Sequence, residues 1–239
     1  MLKEKIPWNR MLAEGFVIVA SILLALAADA WLEERNRQND EQQLLLSLES
    51  ELLQVKEGLE ELITLLQGDI QRMFRFADTM ENAVVGVTPR EEINAAASNY
   101  GPNATDYSVP RAVLNSMLNG GQISLLDSDR LKIAIADYEQ GISRFDETKD
   151  RVNDLWLNFL APYRYQYGSM PTEYGGIGAA NITARNVADD IVLEAFAGNS
   201  YYKNLLRARG IRDRDLWLSA EALLGKIDVM LELIAGEIE

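Results

Sequence analysis

Residues 13–35 read AEGFVIVASILLALAADAWLEER, a run apolar enough to enter a bilayer, with Glu14 at its start and Asp29 at its end. How this run is read decides the fold. It is the first part of a rod that crosses a membrane, a cleaved export signal, or the core helix of a soluble domain. Residues 11–28 carry one charge, Glu14, and residues 15–28 carry none. Eighteen helical residues cover about 27 Å, close to the roughly 30 Å hydrocarbon layer. Trp8 and Trp31 bracket the run. Their 23-residue separation is about 34 Å of helix, which sets one indole at each headgroup layer. The indole favours that depth because its ring is apolar and its N–H seeks water.

A signal peptide would use Lys3, Lys5 and Arg10 as its basic region, 16–24 as its apolar region, and Ala25, Leu26 and Ala27 as its small-residue site. Against that, residues 31–37 continue a helical pattern with no glycine or proline. The expectation is an uncleaved transmembrane helix over 11–32 after a tail of residues 1–10.

At about 100° per residue, Glu14, Ile18, Ser21, Ala25, Ala28 and Asp29 share one side of this helix, and Phe16, Val19, Leu23 and Leu26 the other. Small residues at helical spacing let backbones approach closely in lipid, and polar ones hydrogen-bond across. One reading therefore makes Glu14, Ile18, Ser21, Ala25 and Asp29 a contact face for another membrane helix. The other lets both acids reach the two headgroup layers and gives the small residues no role. Both stay open on sequence alone. Three basic residues precede the span, and Arg35 and Arg37 follow it closely. The positive-inside rule then favours a cytoplasmic N-terminus and an exported body, in the periplasm of a Gram-negative cell.

Composition removes many functions. The net charge is −14, with neither cysteine nor histidine among 239 residues. So acidic a chain repels nucleic-acid phosphates and anionic lipid headgroups. Membrane contact must therefore be apolar, and no nucleic-acid partner is expected. The missing thiol and imidazole remove the commonest nucleophile, general base and soft metal ligands. The acids Asp127, Asp129, Asp189 and Asp190 lack the glycine-containing spacing of a calcium loop and read as helix starts. Gly175, Gly176 and Gly178 precede no GK[ST] and form no phosphate loop. The expectation is a non-enzymatic chain without cofactor or metal.

The body reads as helices throughout. Leu45, Leu48, Leu52, Val55, Leu59, Leu62 and Leu66 keep 3/4 spacing, continued by Ile70, Met73, Phe74 and Met80. With no proline between Pro7 and Pro89, one helix can run over 33–85. Thr88 and Pro89 look like a helix start, 99–110 like loop, and 110–118 like a short helix ended by Gly120 and Gly121. Asp127 or Ser128 caps a helix over 128–161. Its seam is Leu131, Ile135, Tyr138, Ile142, Phe145, Val152, Trp156 and Phe159, interrupted by Lys149 and stopped by Pro162. Residues 163–184 show no period; a short helix follows at 185–197. A last helix spans 200–238 with Leu216, Ala220, Leu223, Ile227, Met230 and Ile234 inside. Such amphipathic helices must pack together, so the fold class is all-α: a transmembrane helix continuing into an antiparallel helical bundle or coiled coil over 33–239.

Three stretches resemble a family of uncharacterised bacterial single-pass membrane proteins. Its first hallmark is a glutamate, an apolar run, an acidic or amide residue, a tryptophan and an E-x-R element. Glu14, FVIVASILLAL, Asp29, Trp31, Glu33 and Arg35 resemble it. The stretches AVLNSMLNGGQISLLDSDRLKIAIADY (112–138) and YYKNLLRARGIRDRDLW (201–217) resemble two others. Ser21 stands where the family often has glycine, and Lys132 where it has arginine. The resemblance implies single-pass topology and a helical body in the bacterial inner membrane, but no reaction. The function expected is a structural or accessory subunit that docks onto a membrane complex or onto another copy of itself. The alternative is an exported ligand sensor. With only about ten residues across the membrane, it would have to signal through a partner.

Overall fold

The computed structural model describes residues 8–89, 92, 105–167 and 196–238; side chains at 8–15, 164, 165 and 167 lie outside that description. The order is α1 (Trp8–Asn82), α2 (Ala112–Asn119), a 3₁₀ turn (Gln122–Leu125), α3 (Asp129–Leu155), a π turn (Trp156–Leu160), α4 (Ala161–Tyr167) and α5 (Ser200–Ile238). No strand occurs among the described residues. The chain is all-α, and α1 alone has 75 residues.

The predicted seams form the core. From Leu45 to Leu66 every seam residue of α1 is buried, as are the seams of α3 up to Trp156 and of α5. The bundle base lies at Leu45 and its head at Asn82. α3 rises from base to head, and α5 returns antiparallel, packing on both α1 and α3. Residues 105–128 fill the wedge between α1 and α3 and run head to base. Val109, Leu114, Met117 and Leu126 pin them to the core. Tyr107 lies so close to α1 that a Cβ on Gly58 would come within 2.8 Å of its ring. Gly121 makes the turn after α2 at φ 70°, a conformation that L side chains resist.

Four expectations need correction. First, α3 does not stop before Pro162. Its backbone widens into the π turn, where the Ala161 N–H donates to the Trp156 carbonyl. Proline lacks an N–H and clashes with the carbonyl four residues back, and the wider turn accommodates both. The helix resumes through Tyr167, so 163–167 is helical. The extra residue in the turn shifts the frame by one, burying Leu160 and leaving Phe159 half exposed. Second, Thr148 rather than Lys149 occupies the seam. Lys149 instead donates to the Tyr107 carbonyl and to Asp146. Third, Phe76 rather than Phe74 continues the α1 seam; Phe74 lies at the surface against Gly210.

Fourth, Ser128 stands at the N-cap of α3, one of the two expected positions, but makes no side-chain cap hydrogen bond. The Asp127 carboxylate is bound by Arg37 of α1 at 2.7 Å, and its backbone N–H donates to Glu41. Arg37 also holds Glu34. The guanidinium keeps both carboxyls below their usual range. The effect is to clip the start of α3 to α1 at the base. Thr88, the predicted helix start, instead accepts from the Val84 N–H at 2.9 Å in the turn after α1; the loop before 105 and most of the helix predicted at 185–197 lie outside the described residues.

Candidate functional site

The segment that carries the contact-face expectation stands clear of the bundle. Core packing begins at Leu45, and among the described residues the α1 backbone from Trp8 to the clip at Arg37 runs alone. Its apolar window is long and apolar enough to cross a membrane, and none of that window is buried. Among the described residues nothing buries this helix as a soluble core would. A core helix hides its apolar stripe, whereas here Phe16, Ile18, Leu23 and Leu26 are all exposed.

Ile18, Ser21, Ala25 and Asp29 are exposed, and no other described element covers them. The Glu14 and Trp8 side chains lie outside the described residues. Ser21 shows how its face is built: its hydroxyl donates to the Val17 carbonyl one turn back, at 2.7 Å. A hydroxyl satisfied inside its own helix needs no outside acceptor, so Ser21 offers close approach rather than an obligatory polar bridge. At the far end Trp31 is exposed, with the Arg35 guanidinium 5.5 Å from its ring centre. That cation–π contact suits a headgroup layer, where ring and charge are partly desolvated.

The ligand-sensing alternative would gain from a polar pocket lined by Tyr163, Arg164, Tyr165 and Tyr167. Tyr163 stacks on Tyr202 at 5.0 Å and meets Phe196 edge-on at 5.6 Å. Its hydroxyl accepts from Asn199. It belongs to a second core at the head, with Met73, Phe76, Met80, Trp156 and Leu160. The Arg164, Tyr165 and Tyr167 side chains lie outside the described residues.

Two polar devices inside the bundle went unread in the sequence. The Glu51 carboxylate, nearly buried, accepts from the Val113 N–H at 2.7 Å and the Leu114 N–H at 3.1 Å. It caps α2 from another helix, satisfying donors that α2 cannot satisfy itself. Beside it the Tyr138 hydroxyl is buried without a hydrogen-bond partner among the described residues. Burial, and then the Glu51 charge, push its pKa up. The second device is Arg209 with Asp213 on α5, at 2.8 Å, where Arg209 also donates to the Val152 carbonyl. The pair sits between the two cores. Its signal was legible: Tyr202, Leu206, Arg209, Asp213 and Leu216 keep 3/4 spacing, with opposite charges one turn apart.

Comparison of the chain with protein-family models, with curated proteins and with solved structures finds no match.

Proposed function

We propose that the protein is a membrane-anchored helical subunit, structural or accessory in role. It spans the bacterial inner membrane over 11–32, with its N-terminus in the cytoplasm and its bundle in the periplasm. One observation carries this reading. From Phe16 the apolar stretch of α1 is uncovered by any described residue, yet it continues without a break into the helix that organises the core. A greasy surface of that length is stable in water only if lipid or protein covers it. The clip at Arg37 lies five residues beyond Leu32, about 8 Å along the helix. The bundle base is thereby held close to the membrane surface, where it meets other membrane proteins. The resemblance of Glu14, Asp29, Trp31, Glu33 and Arg35 to the single-pass family supports the same topology.

Topology is tested with single cysteines, which the chain otherwise lacks. Lys3→Cys and Ser108→Cys are labelled with an impermeant maleimide on intact spheroplasts, whose membranes are then isolated and given an alkaline wash. Position 108 should label and position 3 should not, with the chain retained. The reverse pattern inverts the orientation, and release by the wash removes the anchor.

The span's contact face has its own test. Ser21→Leu with Ala25→Leu puts two branched side chains where a neighbouring backbone would lie. Helix contacts in lipid rest on packing and on bridges of about 0.6–2 kcal/mol each. The double variant should lose proteins that co-purify with wild type in mild detergent, whereas Leu23→Ala with Leu26→Ala should keep them. Full retention by the Ser21/Ala25 variant would leave the span as an anchor only, with its acids in the headgroup layers.

A further inference from the structure

Between α3 and α5, on the side of the bundle away from α1, runs an open groove of about 470 Å³. Ala134, Ala222 and Gly225 line it, and a Cβ added to Gly225 would meet nothing within 4 Å. Ile133 and Val229 also line it, 65% and 52% exposed. Leu233 and four charges complete the lining: Arg130 and Asp137 from α3, Lys226 and Glu232 from α5. Because the helices are antiparallel and Lys226 reaches past Asp137 to Gly141, these charges fall into two levels. Arg130 and Glu232 flank the groove toward the base, and Asp137 and Lys226 toward the head. Among the described residues none of the four closes an ion pair within the chain.

We propose that this groove is the seat of a second copy of the chain, the two bundles packing groove to groove about a two-fold axis parallel to the helices. Such an axis sets α3 of each copy against α5 of the other, at the same height. Arg130 then meets the partner's Glu232, and Asp137 meets the partner's Lys226, each pair occurring twice. Ile133 and Val229 of each copy fill the small-residue floor of the other, where close packing has room. A two-fold axis across the helices inverts the heights. It sets α3 against α3 and α5 against α5, so Arg130 would meet the partner's Asp137 rather than its Glu232, and the two α1 spans would point in opposite directions. One membrane entered from one side therefore selects the parallel pair, and in this the inference rests on the anchored topology proposed above.

The test uses two differently tagged full-length copies, co-expressed and captured from membranes in mild detergent. Wild-type copies should capture each other. Arg130→Glu alone, or Glu232→Arg alone, places like charges at both base contacts, and capture should fall at least about tenfold. A copy with Arg130→Glu co-expressed with a copy carrying Glu232→Arg regains two opposite-charge contacts. Capture should return to within about twofold of wild type, an outcome that also demonstrates that both variants fold. Gly225→Trp, which fills the floor, should abolish capture. Absence of wild-type capture, full capture by either single variant, or no recovery in the mixed pair overturns the groove dimer. An alkaline wash run on the same membranes separates the two claims. Release of the chain refutes the anchor, whereas retention without capture refutes the groove alone.

Discussion

Leu52→Asp is expected to unfold the bundle in mild detergent, seen as loss of the cooperative helical melt by circular dichroism. Leu52 is 0% exposed and lies in the α1 seam between Leu48 and Val55, at the centre of the larger core. Truncating a buried leucine costs about 2–5 kcal/mol, and an unpaired buried carboxylate adds several more. A domain has only about 5–15 kcal/mol to lose. Ile142→Asp on α3 should behave alike, because Ile142 is buried in the same cluster. Leu53→Asp is the control. That side chain is 52% exposed, so the same chemical change one residue along should stay within about 0.5 kcal/mol of wild type. Equal melts for Leu52→Asp and Leu53→Asp would place the seam elsewhere.

Arg209→Met should be the most damaging polar substitution. Arg209 and Asp213 are 3% and 2% exposed at their side chains. Removing one partner of a buried pair leaves an uncompensated charge and costs about 3–5 kcal/mol. The loss should depend on pH in a definite direction. Burial pushes the Asp213 carboxyl above its ordinary value of 3.8, and the Arg209 charge and hydrogen bond offset part of that rise. An acid whose folded pKa is raised holds its proton longer in the native chain than in the unfolded one. Its contribution to stability is greatest below the unfolded value and falls as pH rises through the folded one. Without Arg209 the folded pKa moves further up and the window widens. Arg209→Met should therefore regain part of its lost stability on acidification toward that window. Adding Asp213→Asn should abolish the regain. Arg209→Met with Asp213→Leu should restore much of the loss at neutral pH, since an apolar pair leaves no charge to solvate. Chemical denaturation at neutral and acidic pH measures all three. A flat pH profile for Arg209→Met would remove Asp213 as the cause.

The apolar seams were legible because burial in a helix repeats every three or four residues, and proline punctuates what it interrupts. That was enough to place the end of α1, the start of α3 and both ends of α5 within a few residues, and to name most of the larger core. It failed where one local event moved the frame. The π turn before Pro162 adds a residue, and everything after it rotates, so Leu160 is buried where Phe159 was expected. Proline signals a break with certainty only when the backbone cannot widen to admit it. The candidate contact face was legible too, since its residues share one side by angle alone. The clear standing of that face is a tertiary fact.

Periodicity and composition by themselves determined the class, the uncapped apolar run at the N-terminus and the exclusion of thiol and imidazole chemistry. These follow from what each residue is and how far it stands from its neighbours along the chain. Pairings across the chain waited for the tertiary structure. Glu51 caps α2 from 62 residues away, Arg37 clips Asp127 across 90, and Arg209 reaches the Val152 carbonyl across 57. An acid on the flank of a seam looks like any solvated acid until another helix presents bare N–H groups to it. The groove between α3 and α5 was hidden for the same reason. Its two walls come from helices that meet only after the chain has doubled back, and no spacing in the sequence records which of their faces remains uncovered.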